Sequence, residues 1–232
     1  MLNIAIGGLQ KSSLIDYPEK ISAVIFTQGC NFRCPYCHNP ELVNGKRGTG
    51  NGKPKHILEF LKRRAGKLDG VVITGGEPTL HADLPEFIKQ IKDLGFAVKL
   101  DTNGTNPDML ARLISGKLVD YIAMDIKASI DKYSEVVCAK VDTDKILKSI
   151  DVLKNVNIEC EFRTTIVKSQ LTRDDFEKIG ALIQDAPIYY LQRFLPTKTL
   201  DESFIGQTTY CDEEFVPIIE TLKKYVKKVE LR

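Results

Sequence analysis

The sequence predicts an α/β fold in which six parallel strands alternate with amphipathic helices. Two observations support this prediction. Short apolar runs rich in β-branched residues recur six times along the 232-residue chain, as buried strands do. Between them lie segments whose apolar residues are three and four positions apart, which is the period of a helix with one buried face. Because strict alternation requires crossover helices, the strands are expected to run parallel with both faces covered.

Unusual sequences follow the first four of the six predicted strands. The strands cover residues 21–27, 71–74, 96–102, 119–126, 158–167 and 188–195. Six βα units are fewer than the eight of a closed barrel, so a partial barrel and an open doubly wound sheet both fit. In either architecture the reactive residues lie at the carboxyl ends of the strands.

The helices are expected where the apolar period changes to that of a helix. They cover residues 54–65, 83–94, 107–115, 144–154, 173–183 and 213–226. Asp83 followed by Glu86 indicates a capping box, and Gly95 indicates the end of the same helix. Asn106 and Thr172 precede two other helices and are expected to be their N-caps.

Composition and charge limit the classes of function. Lys and Arg number 33 against 31 Asp and Glu, a net charge of +2, so no nucleic-acid partner is expected. No apolar run approaches the roughly 18 residues that cross a membrane, and residues 1–10 lack the features of a signal peptide. We therefore expect a cytoplasmic protein without a membrane partner. A single domain is expected over 1–232, with 1–20 as an N-terminal extension and 44–55 as a mobile loop.

Three cysteines lie within eight residues directly after the first predicted strand. Cys30, Cys34 and Cys37 are separated by three residues and then by two. In a reducing compartment this spacing indicates metal or redox chemistry rather than disulfides. Three thiolates are one fewer than a closed zinc or iron–sulfur site needs, which leaves one metal ion open to substrate. A zinc site with His38 as fourth ligand is the alternative, although chelation by adjacent residues is awkward.

This loop resembles that of the radical S-adenosylmethionine enzymes, because Tyr36 before the last cysteine and the position after strand one also match. The resemblance implies a partial, laterally open (β/α)6 barrel and a 4Fe–4S cluster held by the three cysteines. It implies that S-adenosylmethionine chelates the open iron and that Tyr36 lies against its adenine. Reduction by one electron would then cleave the cofactor to methionine and a 5′-deoxyadenosyl radical.

The glycine-rich end of the second predicted strand is a further candidate site. Gly75 and Gly76 allow close backbone approach, and Glu77 offers an acceptor for an ammonium group. Taken alone, a Gly-Gly pair is usually only a turn. Beside the cysteine loop it resembles the family's GGEP motif, which implies contact with the methionyl amine.

Polar residues also follow the third and fourth predicted strands. They are Asp101, Thr102, Asn103, Asp125 and Lys127. Read without the resemblance, they form an Asn-Gly turn and a solvated strand end. The resemblance implies that they surround the ribose and carboxylate of S-adenosylmethionine, with the lysine paired to the carboxylate. The side-chain oxygens of Asp101, Thr102 and Asp125 are hard donors of the kind that bind cations, so a monovalent cation beside the carboxylate is a further expectation.

Arg163 stands inside an otherwise apolar strand. If its side chain points inward, it needs an acidic partner or a ligand, so we count it among the candidate cofactor contacts. An outward-facing arginine paired at the surface remains open. Three cysteines outside the loop are isolated and are expected to be packed or exposed thiols rather than ligands: Cys138, Cys160 and Cys211.

Residues 14–18, 24–30 and 37–42 resemble the activating enzymes of glycyl radical enzymes, most of all those of anaerobic ribonucleoside-triphosphate reductase. The resemblance implies that the deoxyadenosyl radical removes a Cα hydrogen from a glycine of a large partner enzyme. It also implies a reducing flavodoxin or ferredoxin. One departure affects the partner's identity, because many such enzymes have Asp-Gly-Pro-Gly where this chain has Asp-Tyr-Pro-Glu at 16–19.

Two other functions remain open. A radical enzyme acting on a small molecule, such as 7-carboxy-7-deazaguanine synthase, has a similarly short chain. That family usually follows its last cysteine with Asp-Thr, whereas this chain has His38 and Asn39. A zinc-stabilised binding module is the non-enzyme alternative, and it would be colourless where an iron–sulfur protein is brown.

Overall fold

The structure is a computed structural model that describes residues 2–43 and 52–232. Residues 44–51 of the predicted loop at 44–55 therefore lie outside the described residues. The strands are β1 Ile6–Ser13, β2 Ser22–Thr27, β3 Gly70–Gly75, β4 Ala97–Thr102, β5 Tyr121–Asp125, β6 Glu159–Ile166, β7 Tyr189–Arg193 and β8 Val229–Leu231. They form one open sheet in chain order, from β1 at one edge to β8 at the other.

The helices confirm the six predicted segments and add two short ones. They are α1 Pro40–Val43, α2 Pro54–Arg64, α3 Leu84–Asp93, α4 Pro107–Ser115, α5 Tyr133–Val136, α6 Thr143–Lys154, α7 Arg173–Leu182 and α8 Asp212–Leu222. The four-residue helices α1 and α5 were not predicted, since a single turn has no apolar period to detect. Among the described residues, no helix is long and apolar enough to cross a membrane.

Helix caps were predicted with mixed success. The Asn106 side chain accepts a hydrogen bond from the Met109 N–H, and Thr172 forms a capping box at the start of α7, so both N-caps are confirmed. The predicted capping box at Asp83 is wrong. Its carboxylate makes no cap hydrogen bond and instead accepts the backbone N–H of Asn3 at 2.6 Å, a partner 80 residues away in the sequence.

The chain divides into two compact units. The first contains β1 to β4 and the start of β5. Strand β1 is antiparallel to β2, while β2, β3 and β4 run parallel in a register that aligns Val24, Val72 and Lys99. One side of this sheet is covered by α3, whose apolar face is fully buried. Tyr17 and Tyr121 pack with Val24 and Val72 in a separate apolar cluster.

The second unit contains the end of β5 together with β6, β7 and β8. Strands β6 and β7 are parallel, with Phe162 opposite Tyr189, and β8 adds a further parallel strand. The Ile126 N–H donates to the Arg163 carbonyl at 2.9 Å, which joins the end of β5 to β6. The phenyl ring of Phe176 on α7 is fully buried in this unit.

The six predicted strands are confirmed as β2 to β7, whereas β1 and β8 were not predicted. Strand β1 falls in the N-terminal extension at 1–20 and contains two glycines and three exposed polar residues, which are typical of a loop. Strand β8 has only three residues, too few to show an alternating pattern. The sheet is mixed because of β1, and the predicted parallel order holds for β2, β3 and β4 and for β6, β7 and β8.

Candidate functional site

The three clustered thiols follow β2. The Cys34 side chain is buried, and Cys30 and Cys37 are partly buried; like the other three cysteines, they form no disulfide. Cysteine thiolates are the soft donors that bind iron–sulfur clusters. Within 2–43 and 52–232 no three His, Cys, Asp or Glu side chains are gathered closely enough to hold a metal ion. The assignment of the cluster ligands therefore stays a prediction, resting on spacing and thiol chemistry.

Backbone hydrogen bonds hold the second half of the cysteine loop within the second unit. The Arg33 N–H donates to the Val137 carbonyl at 2.8 Å, directly after α5. The Pro35 carbonyl accepts the Asp201 N–H at 3.0 Å, from the segment that follows β7. These bonds involve main-chain atoms only, and they fix the path of the loop.

His38 is fixed against the end of β7. Its ring stacks on Phe194 with centroids 5.7 Å apart and an interplanar angle of 13°. Its Nε2 lies 2.8 Å from the Leu195 carbonyl, to which it donates. The structure thus gives His38 a packing role, and nothing among the described residues gathers it with the thiols as a zinc site would require.

The glycine pair at the end of β3 packs against the chain's own backbone. Gly75 has φ of +117°, and a Cβ built on it would lie 2.4 Å from the Thr27 nitrogen. A Cβ on Gly76 would lie 2.1 Å from the Gly29 carbonyl oxygen, and Gly29 directly precedes Cys30. The sequence predicted that these glycines make room for a ligand. The reason visible in the structure is close contact between two strand ends.

Glu77 is a buried carboxylate, 1% exposed, in the same unit. Its Oε1 accepts hydrogen bonds from the Thr79 N–H at 3.0 Å and from the Thr79 hydroxyl at 2.5 Å. The Thr102 hydroxyl donates to the same oxygen at 2.8 Å. These donors hold the carboxyl group in one orientation, in which it can accept a hydrogen bond from an ammonium ligand. Thr102 thus lies beside Glu77, and the role of Thr79 was missed.

Asp101 lies beside a buried lysine that the sequence analysis also missed. The Lys99 ammonium is 3.5 Å from the Asp101 carboxylate and donates to the Asp16 carbonyl at 2.6 Å. It also lies over the ring of Tyr121, 5.5 Å from the centroid. A lysine inside an apolar strand was the available signal, because a buried ammonium needs partners as much as the arginine in β6 does.

Asp125, Lys127 and Arg163 form a charged group in the second unit. The Lys127 ammonium is 3.0 Å from the Asp125 carboxylate, and the Arg163 Nε is 2.5 Å from its other oxygen. Burial alone would raise the pKa of Asp125, but Arg163 and Lys127 bring it down to about 2. Burial would lower the pKa of Lys127, but the Asp125 carboxylate raises it well above its usual range. Arg163 therefore points inward, toward an acidic partner.

A monovalent cation at this end of the strands would compete with these side chains. Asp125 already has two cationic neighbours, and Asp101 has one. The cation stays a prediction. Because both carboxylates already have cationic neighbours, they offer a bound cation less negative charge than the sequence suggested.

Tyr36 and Asn103, two further candidates, are both buried in the second unit. The Tyr36 hydroxyl has no hydrogen-bond partner among the described residues, and burial raises its pKa well above the usual value. Asn103 makes the turn that the plain reading expected, since its Oδ1 accepts the Thr105 N–H at 3.1 Å. Tyr133, which no sequence signal marked, lies with its hydroxyl 3.4 Å from the Asp125 carbonyl and its ring against Phe32.

Each unit presents polar side chains suited to a ligand group of its own. In the first unit the buried Glu77 carboxyl group can accept a hydrogen bond from an ammonium group, and in the second unit Lys127 and Arg163 carry positive charge that suits an anionic group. The buried Tyr36 hydroxyl, also in the second unit, has no hydrogen-bond partner among the described residues, so it is available to a polar atom of a ligand.

Comparison with known proteins places this site in a family. The sequence matches the Radical SAM superfamily over residues 24–183. It is 40% identical over 233 residues to a Methanocaldococcus jannaschii protein named provisionally as a glycyl-radical enzyme activating enzyme, covering 98% of this chain and 95% of that protein. It is 28% identical over 202 residues to the pyruvate formate-lyase-activating enzyme of Clostridium pasteurianum, covering 84% of this chain and 82% of that enzyme.

A solved structure shares the fold. Streptococcus suis SuiB bound to S-adenosylmethionine superimposes with a TM-score of 0.66 at 16% identity, over 90% of this chain and 49% of that chain. At this identity the likeness shows the fold alone.

Proposed function

This chain belongs to the radical SAM superfamily, and we propose that it is the activating enzyme of a glycyl radical enzyme. Members of the superfamily use a 4Fe–4S cluster and S-adenosylmethionine, and the chain is an enzyme of this type. One observation carries the narrower proposal, namely that similarity to activating enzymes extends over nearly the whole chain rather than over the cysteine loop alone.

The residues present fit the two cofactors. In our proposal Cys30, Cys34 and Cys37 hold the cluster. Their spacing on one loop supports this assignment, and none of the three is in a disulfide. When bound, the cluster supplies the electron that splits S-adenosylmethionine into methionine and a 5′-deoxyadenosyl radical. The protein's part is to bind, orient and exclude water from the reacting atoms.

We assign the charged residues to the methionyl group. The Glu77 carboxylate receives the ammonium, with its orientation set by Thr79 and Thr102. The Lys127 ammonium has three donor hydrogens and donates one to Asp125, so it can also donate to the methionyl carboxylate. Gly75 and Gly76 are proposed to lie beside the methionyl amine. The remaining predicted contacts, Tyr36, Asp101, Asn103 and Arg163, are proposed to border the adenine, the ribose and the carboxylate.

The partner is proposed to be an anaerobic ribonucleoside-triphosphate reductase, with a flavodoxin or ferredoxin as reductant. The resemblance of residues 14–18, 24–30 and 37–42 to activating enzymes of that reductase supports this choice. The experiment combines the reduced, cluster-loaded protein with S-adenosylmethionine and either this reductase or a pyruvate formate-lyase. Electron paramagnetic resonance should show a persistent glycyl doublet on the reductase, which collapses when its glycine carries deuterium at Cα.

The possible results separate three conclusions. A doublet on pyruvate formate-lyase alone would keep the activating function and replace the partner. No doublet on either protein, with deuterium passing from a labelled small molecule into 5′-deoxyadenosine, would replace the proposal with small-molecule chemistry.

A further inference from the structure

Positive charge is concentrated on and beside α2. Residues 53–67 contain six of the 33 Lys and Arg residues but only one acidic residue, Glu59, while the rest of the chain has 27 basic and 30 acidic residues. We call its five exposed cations the α2 basic surface: Lys53, Lys55, Lys62, Arg63 and Lys67. This surface is strongly positive in a chain whose remainder is slightly negative.

The cations of the α2 basic surface are not neutralised within the protein. Several surface lysines elsewhere pair with carboxylates, as Lys92 does with Asp120 at 2.7 Å and Lys168 with Glu214 at 2.6 Å. Within the described part of the chain, none of the five cations of the α2 basic surface makes an ion pair. Their charge therefore remains directed to solvent or to a partner.

Helix stability accounts for only part of this charge. Lys62 and Arg63 lie in the last turn of α2, where cations interact favourably with the helix dipole. Lys53 is the N-cap and Lys55 lies in the first turn, where cations are unfavourable and no acidic residue balances them. A helix selected for stability alone would have the opposite charge at this end.

The α2 basic surface adjoins the start of the cysteine loop. Lys53, Lys55 and Lys62 line a cleft together with Gln28, and all four belong to the first unit. Glu59, Asp83 and Glu86 also line this cleft, so the positive excess lies on the α2 basic surface rather than in the cleft. Gln28 is two residues before Cys30 in the sequence. A partner bound over this cleft would therefore lie next to the entrance of the loop that is proposed to carry the cluster.

We infer that the α2 basic surface docks an acidic, low-potential electron-donor protein. The inference rests on the proposed function, because cleavage of S-adenosylmethionine consumes one electron. In the docked pair one electron leaves the donor's reduced flavin or iron–sulfur centre, which is oxidised by one electron, and enters the cluster. A nucleic acid fits less well, because residues 53–67 expose no Phe, Tyr or Trp for base stacking and the remainder of the chain is net negative.

The test measures reduction of the cluster-loaded protein by a reduced flavodoxin of strongly negative net charge. The variant K53E/K55E/K62E reverses the charge of three of the five cations of the α2 basic surface. The matched control, K154E/K224E/K227E, makes the same charge change at exposed lysines that likewise have no ion pair among the described residues. At low salt the cleft variant should be reduced about tenfold more slowly than the control, with a weaker dependence on salt.

Dithionite, a small reductant that needs no docking surface, separates this inference from the proposed function. Both variants should cleave S-adenosylmethionine at equal rates with dithionite. Equal flavodoxin rates in the two variants would overturn the docking site. Loss of polynucleotide binding in the cleft variant, with flavodoxin rates unchanged, would reassign the surface to nucleic acid. No cleavage with dithionite in the unmutated protein would instead overturn the proposed function.

Discussion

At the scale of single residues, Glu77 shows how a buried acidic side chain is held in position for a ligand. Three donors from two threonines converge on one of its oxygens, so the carboxyl group has one orientation before anything binds. The side chain therefore loses its conformational entropy during folding rather than during binding. This arrangement makes Thr79 a positioning residue for the proposed ammonium contact.

Replacing the Thr79 hydroxyl should weaken binding of S-adenosylmethionine. In Thr79→Val one hydrogen bond to a charged group is lost, so affinity should fall by about 1 to 2 kcal/mol. Thr79→Ser keeps the hydroxyl and should restore most of the affinity. Anaerobic titration of the cluster-loaded protein measures both. If valine and serine bind the cofactor equally, Thr79 only stabilises its turn.

The cysteines give a second prediction at this scale. Cys30→Ala, Cys34→Ala and Cys37→Ala should each abolish the cluster, because thiolates at chelating spacing cannot be replaced by the isolated thiols. The matched changes at Cys138, Cys160 and Cys211 should leave the iron content intact. Iron analysis and visible absorption after anaerobic purification measure this. Iron loss from the isolated set equal to that from the loop would contradict the assignment.

Sequence patterns identified the site residues whose type is unusual for their position. They missed residues of ordinary type that contact another side chain of the site. Arg163 was found because a charged residue in an apolar strand requires an explanation, and Lys99 met the same criterion without being noticed. Thr79 and Tyr133 are of ordinary type for their positions. The local turn at Pro78–Leu80 brings Thr79 to Glu77, and only the fold places Tyr133 between Phe32 and the end of β5.

At the scale of elements, the start of α7 depends on one buried carboxylate. Asp175 accepts the Thr172 N–H at 2.7 Å and the Lys132 ammonium at 2.7 Å, and the Ser129 hydroxyl donates to its other oxygen at 3.0 Å. Burial would raise the pKa of Asp175, but Lys132 and Thr172 lower it to about 2. The carboxylate therefore joins the segment after β5 to the start of α7.

Asp175→Asn should destabilise the protein in a pH-dependent way. The folded-state pKa lies below the value of about 3.9 in the unfolded chain, so this stabilisation is complete above that pH and is lost as the pH falls toward 2. At pH 7 the variant should lose about 2 kcal/mol of unfolding free energy. Urea unfolding measures the loss, which should shrink between pH 5 and pH 3.

The neighbouring Asp174→Asn is the matched control, since Asp174 lies in the same turn but is exposed. It should change the unfolding free energy by less than about 0.5 kcal/mol. A loss for Asp175→Asn that is constant with pH would show that packing, rather than charge, is responsible.

Elements were predicted well where an apolar period extends over several helical turns. They were predicted poorly where tertiary contacts determine the structure. Helix α3 has an apolar face of four fully buried residues, and its position follows from that pattern. Its capping hydrogen bond does not follow from the pattern, because the Asp83 carboxylate accepts the backbone N–H of Asn3 instead. Strand β1 likewise depends on pairing with β2, which compensates for its two glycines.

At the scale of the whole molecule, binding of both cofactors should raise the free energy of unfolding. With S-adenosylmethionine at a hundredfold excess over its dissociation constant, the unfolding free energy of the cluster-loaded protein should rise by about 3 kcal/mol. Anaerobic thermal unfolding measures this rise. Removal of the cluster should abolish most of it, because the open iron is proposed to hold the cofactor. An equal rise in the cluster-free protein would show that the side chains alone bind S-adenosylmethionine.

Strand β1 forms one edge of the sheet, and an edge strand can serve as a template for the strand of another copy. Register shifts within β1 distort its hydrogen-bonding row, and Gln10, Lys11 and Ser12 give it an exposed polar stretch. A distorted and hydrated edge is a poor template for strand addition. The concentrated solutions that spectroscopy requires should therefore resist fibrillar aggregation through this edge.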